Sequence, residues 1–157
     1  MRRNGEIDYL ADEVVDEANC AGIFPVPIVK IIKQLGFEVQ GISGDDIPNQ
    51  FSGQVNHEKK LVLINNRHSS VRKRFTLAHE LGHIILHPNQ DQIDYRLFGE
   101  TSDKETEANR FAATILMPVE AFKKISDACA GDLTSIADYF GVSVAAAMIR
   151  DEYFDEY

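Results

Sequence analysis

The sequence predicts an α+β fold, a small and mostly antiparallel sheet packed against helices. Two observations carry this. Most of the chain shows apolar residues at helical spacing, whereas two-residue alternation is confined to one short central region. The 157 residues are 44% hydrophobic and 26% charged, which suits one domain over 1–157 with an ordinary polar surface.

Residues 6–21 read as a helix, with Ile7, Leu10, Ala11, Val14, Val15 and Ala18 at helical spacing. A second helix follows Pro27, apolar on one side from Ile28 to Leu35 and ended by Gly36. "FEVQGI" is a short strand and "SGDDIPNQ" a loop. "FSGQVNHEKKLVLINN" reads as a β-hairpin. Phe51, Gly53 and Val55 alternate with polar residues, 56–60 hold the turn, and Leu61 to Ile64 form a more buried strand. An edge of this hairpin can accept an extended peptide by strand addition. "SSVRKRFTLAHELGHIILHP" is the strongest helix, capped by Ser69 or Ser70 and ended by Pro88. Residues 88–101 form a polar connection, long enough to be a functional loop. "SDKETEANRFAATILMP" is a further helix, with a short one beyond Pro118. "DLTSIADYFGVSVAAAMIRDEYF" gives two helices broken at "FGVS", and the acidic tail from about 151 frays.

Twenty-five acidic residues against 16 basic ones leave a net charge of −9. That disfavours direct nucleic-acid binding, because a phosphate backbone needs a basic face. The basic cluster Arg67, Arg72, Lys73 and Arg74 reads as a solvated helix start. Residues 133–150 have the outline of a helix-turn-helix with Gly141 at the turn, but the second helix brings one basic residue, Arg150, where a recognition helix brings several. Two packing helices are the better reading. No apolar run approaches the roughly 20 residues of a membrane span, and the N-terminus lacks a secretory signal. Cys20 and Cys129 stand alone, as free thiols do in a reducing cytoplasm.

"HELGH" at 79–83 carries the chemistry. On an α-helix four residues advance roughly 400° and rise about 6 Å. His79 and His83 therefore project from one face on adjacent turns and can converge on one Zn²⁺. Glu80 lies roughly 100° round from His79. There it can hold a water beside the metal, take its proton, and pass that proton to a leaving amine. His-Glu-x-x-His on a helix is a known metalloprotease pattern. The surrounding residues Phe75, Leu77, Ala78, Leu81, Ile84, Ile85 and Leu86 are apolar, so the imidazoles are buried and need partners. Gly82 costs the helix about 1 kcal/mol against Ala, which suggests a close approach to its backbone.

A catalytic zinc site needs a third protein ligand. His87 is excluded by its rise of about 12 Å from His79 and reads as a helix-end residue bonding the last carbonyls. The next helix supplies Glu105, Ala108, Asn109 and Ala112 on one stripe. Its alanines allow close packing, Glu105 faces the metal, and Asn109 can hydrogen-bond the far nitrogen of a ligating histidine. Ser102 and Glu105 also form a capping pair. Glu107, beside Phe111, is the rival ligand, and Glu105 is preferred. His57, Tyr95, Arg96 and Arg110 are candidates to stabilise an oxyanion.

"RKRFTLAHELGHIILHP" followed by "ETEANRFAATILMP" resembles the ImmA/IrrE family of metallopeptidases, over roughly residues 24–150. The family pattern E-x-x-A-N-x-F-A-x-x-L-L-M-P is met except for Ile115 in place of Leu. The resemblance implies a zincin-like core with C-terminal helices. It also implies a cytoplasmic zinc endopeptidase of gluzincin type, with His79, His83 and Glu105 as metal ligands and Glu80 as catalytic base. It implies a protein substrate, often a helix-turn-helix repressor encoded alongside; the lack of a long apolar run points to no membrane. Longer members carry an extra domain, and this chain corresponds to the bare core. The alternative is a module that keeps the metal and regulates a partner by stoichiometric binding. Intact Glu80 favours the enzyme, since a binder needs no base.

Overall fold

A hairpin of β-branched and aromatic residues organises the protein, and strands on both sides extend it. The computed structural model describes residues 1–90, 92–95 and 102–152. Strands β1 (Glu38–Ile42), β2 (Phe51–Asn56), β3 (Leu61–Asn65) and β4 (Gln92–Tyr95) form one sheet in the order β1-β3-β2-β4. β1 runs parallel to β3, while β2 runs antiparallel to both β3 and β4. The register sets Gly53 opposite Ile64 and Val55 opposite Val62, so these apolar residues share one face.

The helices follow the sequence periodicity. α1 (Asn4–Glu17) buries Ile7, Ala11, Val14 and Val15, and α2 (Ile28–Gln34) buries Ile28, Ile31 and Ile32. Gly36, at φ +88°, turns the chain from α2 into β1 in a conformation other residues rarely adopt. α3 (Ser70–Leu86) lies across the sheet and packs along α4 (Asp103–Leu116). α5 (Val119–Ala128), α6 (Leu133–Phe140) and α7 (Val144–Glu152) close the described chain. Phe111, Ile115, Leu116, Met117, Phe122 and Phe140 join the sheet residues and α1 in one core.

Two expectations are corrected. Residues 88–101 are not wholly a loop, since they carry β4. β2 is therefore an interior strand, paired on both sides, and offers no edge to a peptide. "QIDY" does alternate polar and apolar residues, but four residues inside a polar segment are too short a run to mark a strand, and the pairing with β2 completes it. Of the expected acidic tail, α7 includes Asp151 and Glu152, and 153–157 lie outside the described residues.

The C-terminal helices pack against each other, with Gly141 between them in the left-handed region. Arg150 is buried and donates from Nε to the Met117 carbonyl at 3.0 Å. Burial and repulsion from Arg110 bring its guanidinium down to about 10, against the opposing pull of Asp8 and Asp12. α7 thus spends its basic residue on the protein interior. The basic residues near the start of α3 are likewise engaged locally: Arg67 with the Ile47 carbonyl, Arg72 with Ser52, Lys73 with Asn66 and Arg74 with the Val26 carbonyl. Both cysteines are free thiols; Cys20 is buried and Cys129 half-buried.

Gly82 is a point of close approach between α3 and α4. A Cβ there would lie 3.2 Å from the Ala108 Cα and 3.3 Å from its carbonyl oxygen. Gly82→Val is expected to destabilise the protein by about 1–3 kcal/mol through overpacking, despite the better helix propensity. Urea unfolding in the presence of a chelator measures this; unchanged stability would refute the close-contact account.

Candidate metal centre

α3 begins where the Ser69 hydroxyl accepts from the Arg72 N–H at 3.4 Å. Its buried stretch runs from Thr76 to His83 and contains His79, Glu80 and His83, each no more than 1% exposed. α4 begins where the Ser102 hydroxyl accepts from the Glu105 N–H at 3.3 Å. Glu105 thus takes part in the cap through its backbone while its carboxylate reaches across to α3. The capping and site readings of this residue hold together.

His79 Nε2 and His83 Nε2 lie 3.1 Å apart. One Glu105 oxygen is 2.9 Å from His79 Nε2 and the other 3.0 Å from His83 Nε2. Among the described residues, these three offer ligand atoms within 4.8 Å of one another. Burial alone would raise the Glu105 pKa; with protons on their Nε2 atoms, His79 and His83 would outweigh it and hold the carboxyl well below the usual range.

The outer nitrogens show what this cluster suits. His79 Nδ1 is 2.8 Å from Asn109 Oδ1, which can only accept. His79 therefore carries its proton on Nδ1, and its Nε2 lone pair points at the cluster. An anionic carboxylate facing such lone pairs at about 3 Å is repulsive unless a cation or protons lie between them. Two imidazole nitrogens and one carboxylate are the donor set of a three-ligand catalytic metal site. The residues fit a divalent ion.

Asn109 sits where the helical stripe places it. The side chains of His87 and Glu107 meet each other instead. His87 Nδ1 is 2.8 Å from His83 Nδ1, and its Nε2 is 2.7 Å from Glu107 Oε2. His87 is the helix-end residue expected, its backbone N–H donating to the His83 carbonyl at 2.9 Å, but its side chain bonds no carbonyl, and Glu107 is no part of the cluster. Glu107 also accepts from the Arg2 N–H at 2.6 Å and pairs with Arg2 Nη1 at 3.2 Å. Burial lowers the His87 pKa, with the Glu107 hydrogen bond opposing. Burial would raise the Glu107 pKa, and the Arg2 N–H and His87 reverse it. The i, i+4 step from His83 to His87 was a sequence signal for this contact; nothing local pointed to Glu107 or Arg2.

Glu80 is fully buried and lies against β2, where a Cβ on Gly53 would come within 3.2 Å of its Oε1 and 2.7 Å of Thr76 Cγ2. Of the oxyanion candidates, Arg110 is held by Asp8 through two contacts of 2.9 and 2.6 Å. His57 is buried edge-on to Phe37. The Tyr95 side chain and Arg96 lie outside the described residues.

Comparison with known proteins agrees with this geometry. The family model for the IrrE N-terminal-like domain, Peptidase_M78, matches residues 32–150. The chain belongs to the Peptidase_M78 family. This is a metallopeptidase family, and the match spans α3, α4 and the cluster between them. The radiation response metalloprotease IrrE of Deinococcus radiodurans is 42% identical over 71 residues, covering 42% of this chain and 22% of that protein. An uncharacterized immunity region protein 2 of Bacillus phage phi105 is 32% identical over 97 residues, covering 59% of each. The chain thus spans less than two thirds of either relative. A solved Mycobacterium tuberculosis transcriptional regulator shares the fold at TM-score 0.66 and 17% identity, over 91% of this chain and 45% of that one. No helix among the described residues is long and apolar enough to cross a membrane.

A metal that binds this Peptidase_M78 cluster in the folded state stabilises that state. At a free Zn²⁺ concentration about 100 times Kd, the gain is about 2.7 kcal/mol. Thermal unfolding with Zn²⁺ and with a chelator should show this rise in wild type and its loss in Glu105→Ala. An equal rise in both would take the metal away from this cluster.

Proposed function

We propose that the protein is a cytoplasmic zinc-dependent endopeptidase that hydrolyses one bond in a specific protein substrate, a helix-turn-helix repressor or antitoxin-like regulator. His79, His83 and Glu105 are the metal ligands and Glu80 is the catalytic base. The observation that carries this is the convergence of two buried imidazoles and a carboxylate within 4.8 Å, with a buried glutamate next in sequence to the first histidine. Membership of a metallopeptidase family supports the reaction class, and the phage immunity-region relative supports a regulatory setting.

When bound, the metal supplies Lewis acidity, lowering the pKa of a coordinated water and polarising the scissile carbonyl. Glu80 accepts the proton of the attacking water at a carboxylate oxygen and returns it to the leaving amine nitrogen. α3 and β2 bury that carboxylate, so the proton is kept from bulk solvent. Asn109 fixes the His79 ring through Nδ1 and leaves Nε2 for the metal. A cavity of about 550 Å³ opens beside Asn109, its walls mixing Phe75, Ala113, Met117 and Ile149 with Arg110 and Arg150, and suits a largely apolar side chain of the substrate.

Glu80→Gln keeps the shape of the side chain and removes the base. The variant is expected to retain about one zinc per chain and to lose roughly 10²- to 10⁴-fold in cleavage rate. The assay incubates wild type and variant with the helix-turn-helix protein encoded beside this chain and follows new fragments by mass spectrometry. Zinc in both proteins with stoichiometric binding and no cleavage would replace the enzyme by a metal-containing regulatory binder.

A further inference from the structure

His87 joins the metal cluster at His83 and Glu107 joins His87, and the reaction as described gives them no task. Yet both are buried, and a buried imidazole–carboxylate pair is costly unless every polar atom is used. Their order in space is Glu107 Oε2, His87 Nε2 at 2.7 Å, then His87 Nδ1 to His83 Nδ1 at 2.8 Å. His83 Nε2 faces Glu105 and His79.

Proton bookkeeping allows one arrangement that leaves His83 able to ligate. A metal-binding Nε2 must carry a lone pair, so the His83 proton sits on Nδ1. His87 Nδ1 must then accept that proton's hydrogen bond, so the His87 proton sits on Nε2 and is donated to Glu107. The Glu107 carboxylate is the acceptor that ends the chain, and the Arg2 N–H and guanidinium compensate its charge. The opposite arrangement would put the His83 proton on Nε2, inside the cluster, and would leave the Glu107 carboxylate facing a lone pair.

We propose that His87 and Glu107 are positioning residues, a carboxylate–imidazole relay that fixes the Nδ1–H tautomer and ring orientation of His83 and so presents its Nε2 to the metal. The inference rests on the metallopeptidase reading above. It gives the two ligating histidines different supports, Asn109 for His79 and the relay for His83.

The test is Zn²⁺ affinity, by competition with a chromophoric chelator, for wild type, His87→Leu, His87→Asn and Glu107→Gln. Loss of a hydrogen-bond partner to a metal-bound histidine is expected to weaken binding roughly 10- to 100-fold, as in His87→Leu. His87→Asn sets an amide oxygen near the former Nδ1 position and should recover most of that loss, which a packing role would not allow. Glu107→Gln keeps an oxygen acceptor without the charge and should fall between. In zinc-loaded wild type, NMR should show a ¹⁵N–¹⁵N coupling across the bond from His83 Nδ1 to His87 Nδ1. Wild-type affinity in His87→Leu, or the absence of that coupling, overturns the relay while the metallopeptidase reading stands. Failure of wild type itself to bind Zn²⁺ overturns that reading and the relay with it.

Discussion

The site depends on how closely α3 and α4 approach. Glu105 reaches both histidines only because Gly82 has no side chain and Ala108 a short one where the helices meet. A larger residue at either position would push the axes apart, and separations near 3 Å do not survive such a shift. The helix-weakening glycine in the middle of α3 is accounted for by this contact. Its cost in propensity is about 1 kcal/mol, small beside the packing and the metal geometry that follow from it.

The same approach concentrates ionisable groups in the interior. His79, His83, His87, Glu80 and Glu107 are all buried, and isolated buried charges of this kind would oppose folding. The protein answers with partners drawn from several elements. α4 contributes Asn109 and Glu107, and the segment before α1 contributes Arg2. α1 itself is held to α4 by Asp8, which takes the Arg110 guanidinium and the Thr114 hydroxyl. The N-terminal helix is therefore part of the support of the metal centre, although none of its residues enters it.

What could be read from the sequence was what repeats at short range. The histidine pair, the Gly82 contact, the Ser69 and Ser102 caps, the stripe of Glu105, Ala108, Asn109 and Ala112, and the break at Gly141 all follow from helical geometry within a few residues. The α+β class followed from the hairpin being the main alternating stretch. The relay was not legible, because His87 and Glu107 are 20 residues apart and Arg2 and Glu107 are 105 apart, and no local rule pairs them. β4 escaped for the same reason, since its pairing with β2 bridges the length of α3, and the alternation of Ile93 and Tyr95 with polar residues is only four residues long. The peptide edge expected on the hairpin was lost with it.

β2 gains a second meaning from this arrangement. Its Gly53 faces the Thr76 and Glu80 side chains of α3, and a Cβ there would crowd them. α3 is thus gripped at two glycine contacts, Gly82 toward α4 and Gly53 toward the sheet. Roughly 100° of helix rotation separates His79 from Glu80, and the two contacts serve those two directions. One sets the distance from the histidines to Glu105, and the other sets how deeply the Glu80 carboxylate sits under β2. Ligands and base are consequently fixed by independent packing surfaces of a single helix. A change at Gly53 bears on the base, and a change at Gly82 bears on the metal, even though both residues are glycines that touch neither a metal nor a substrate.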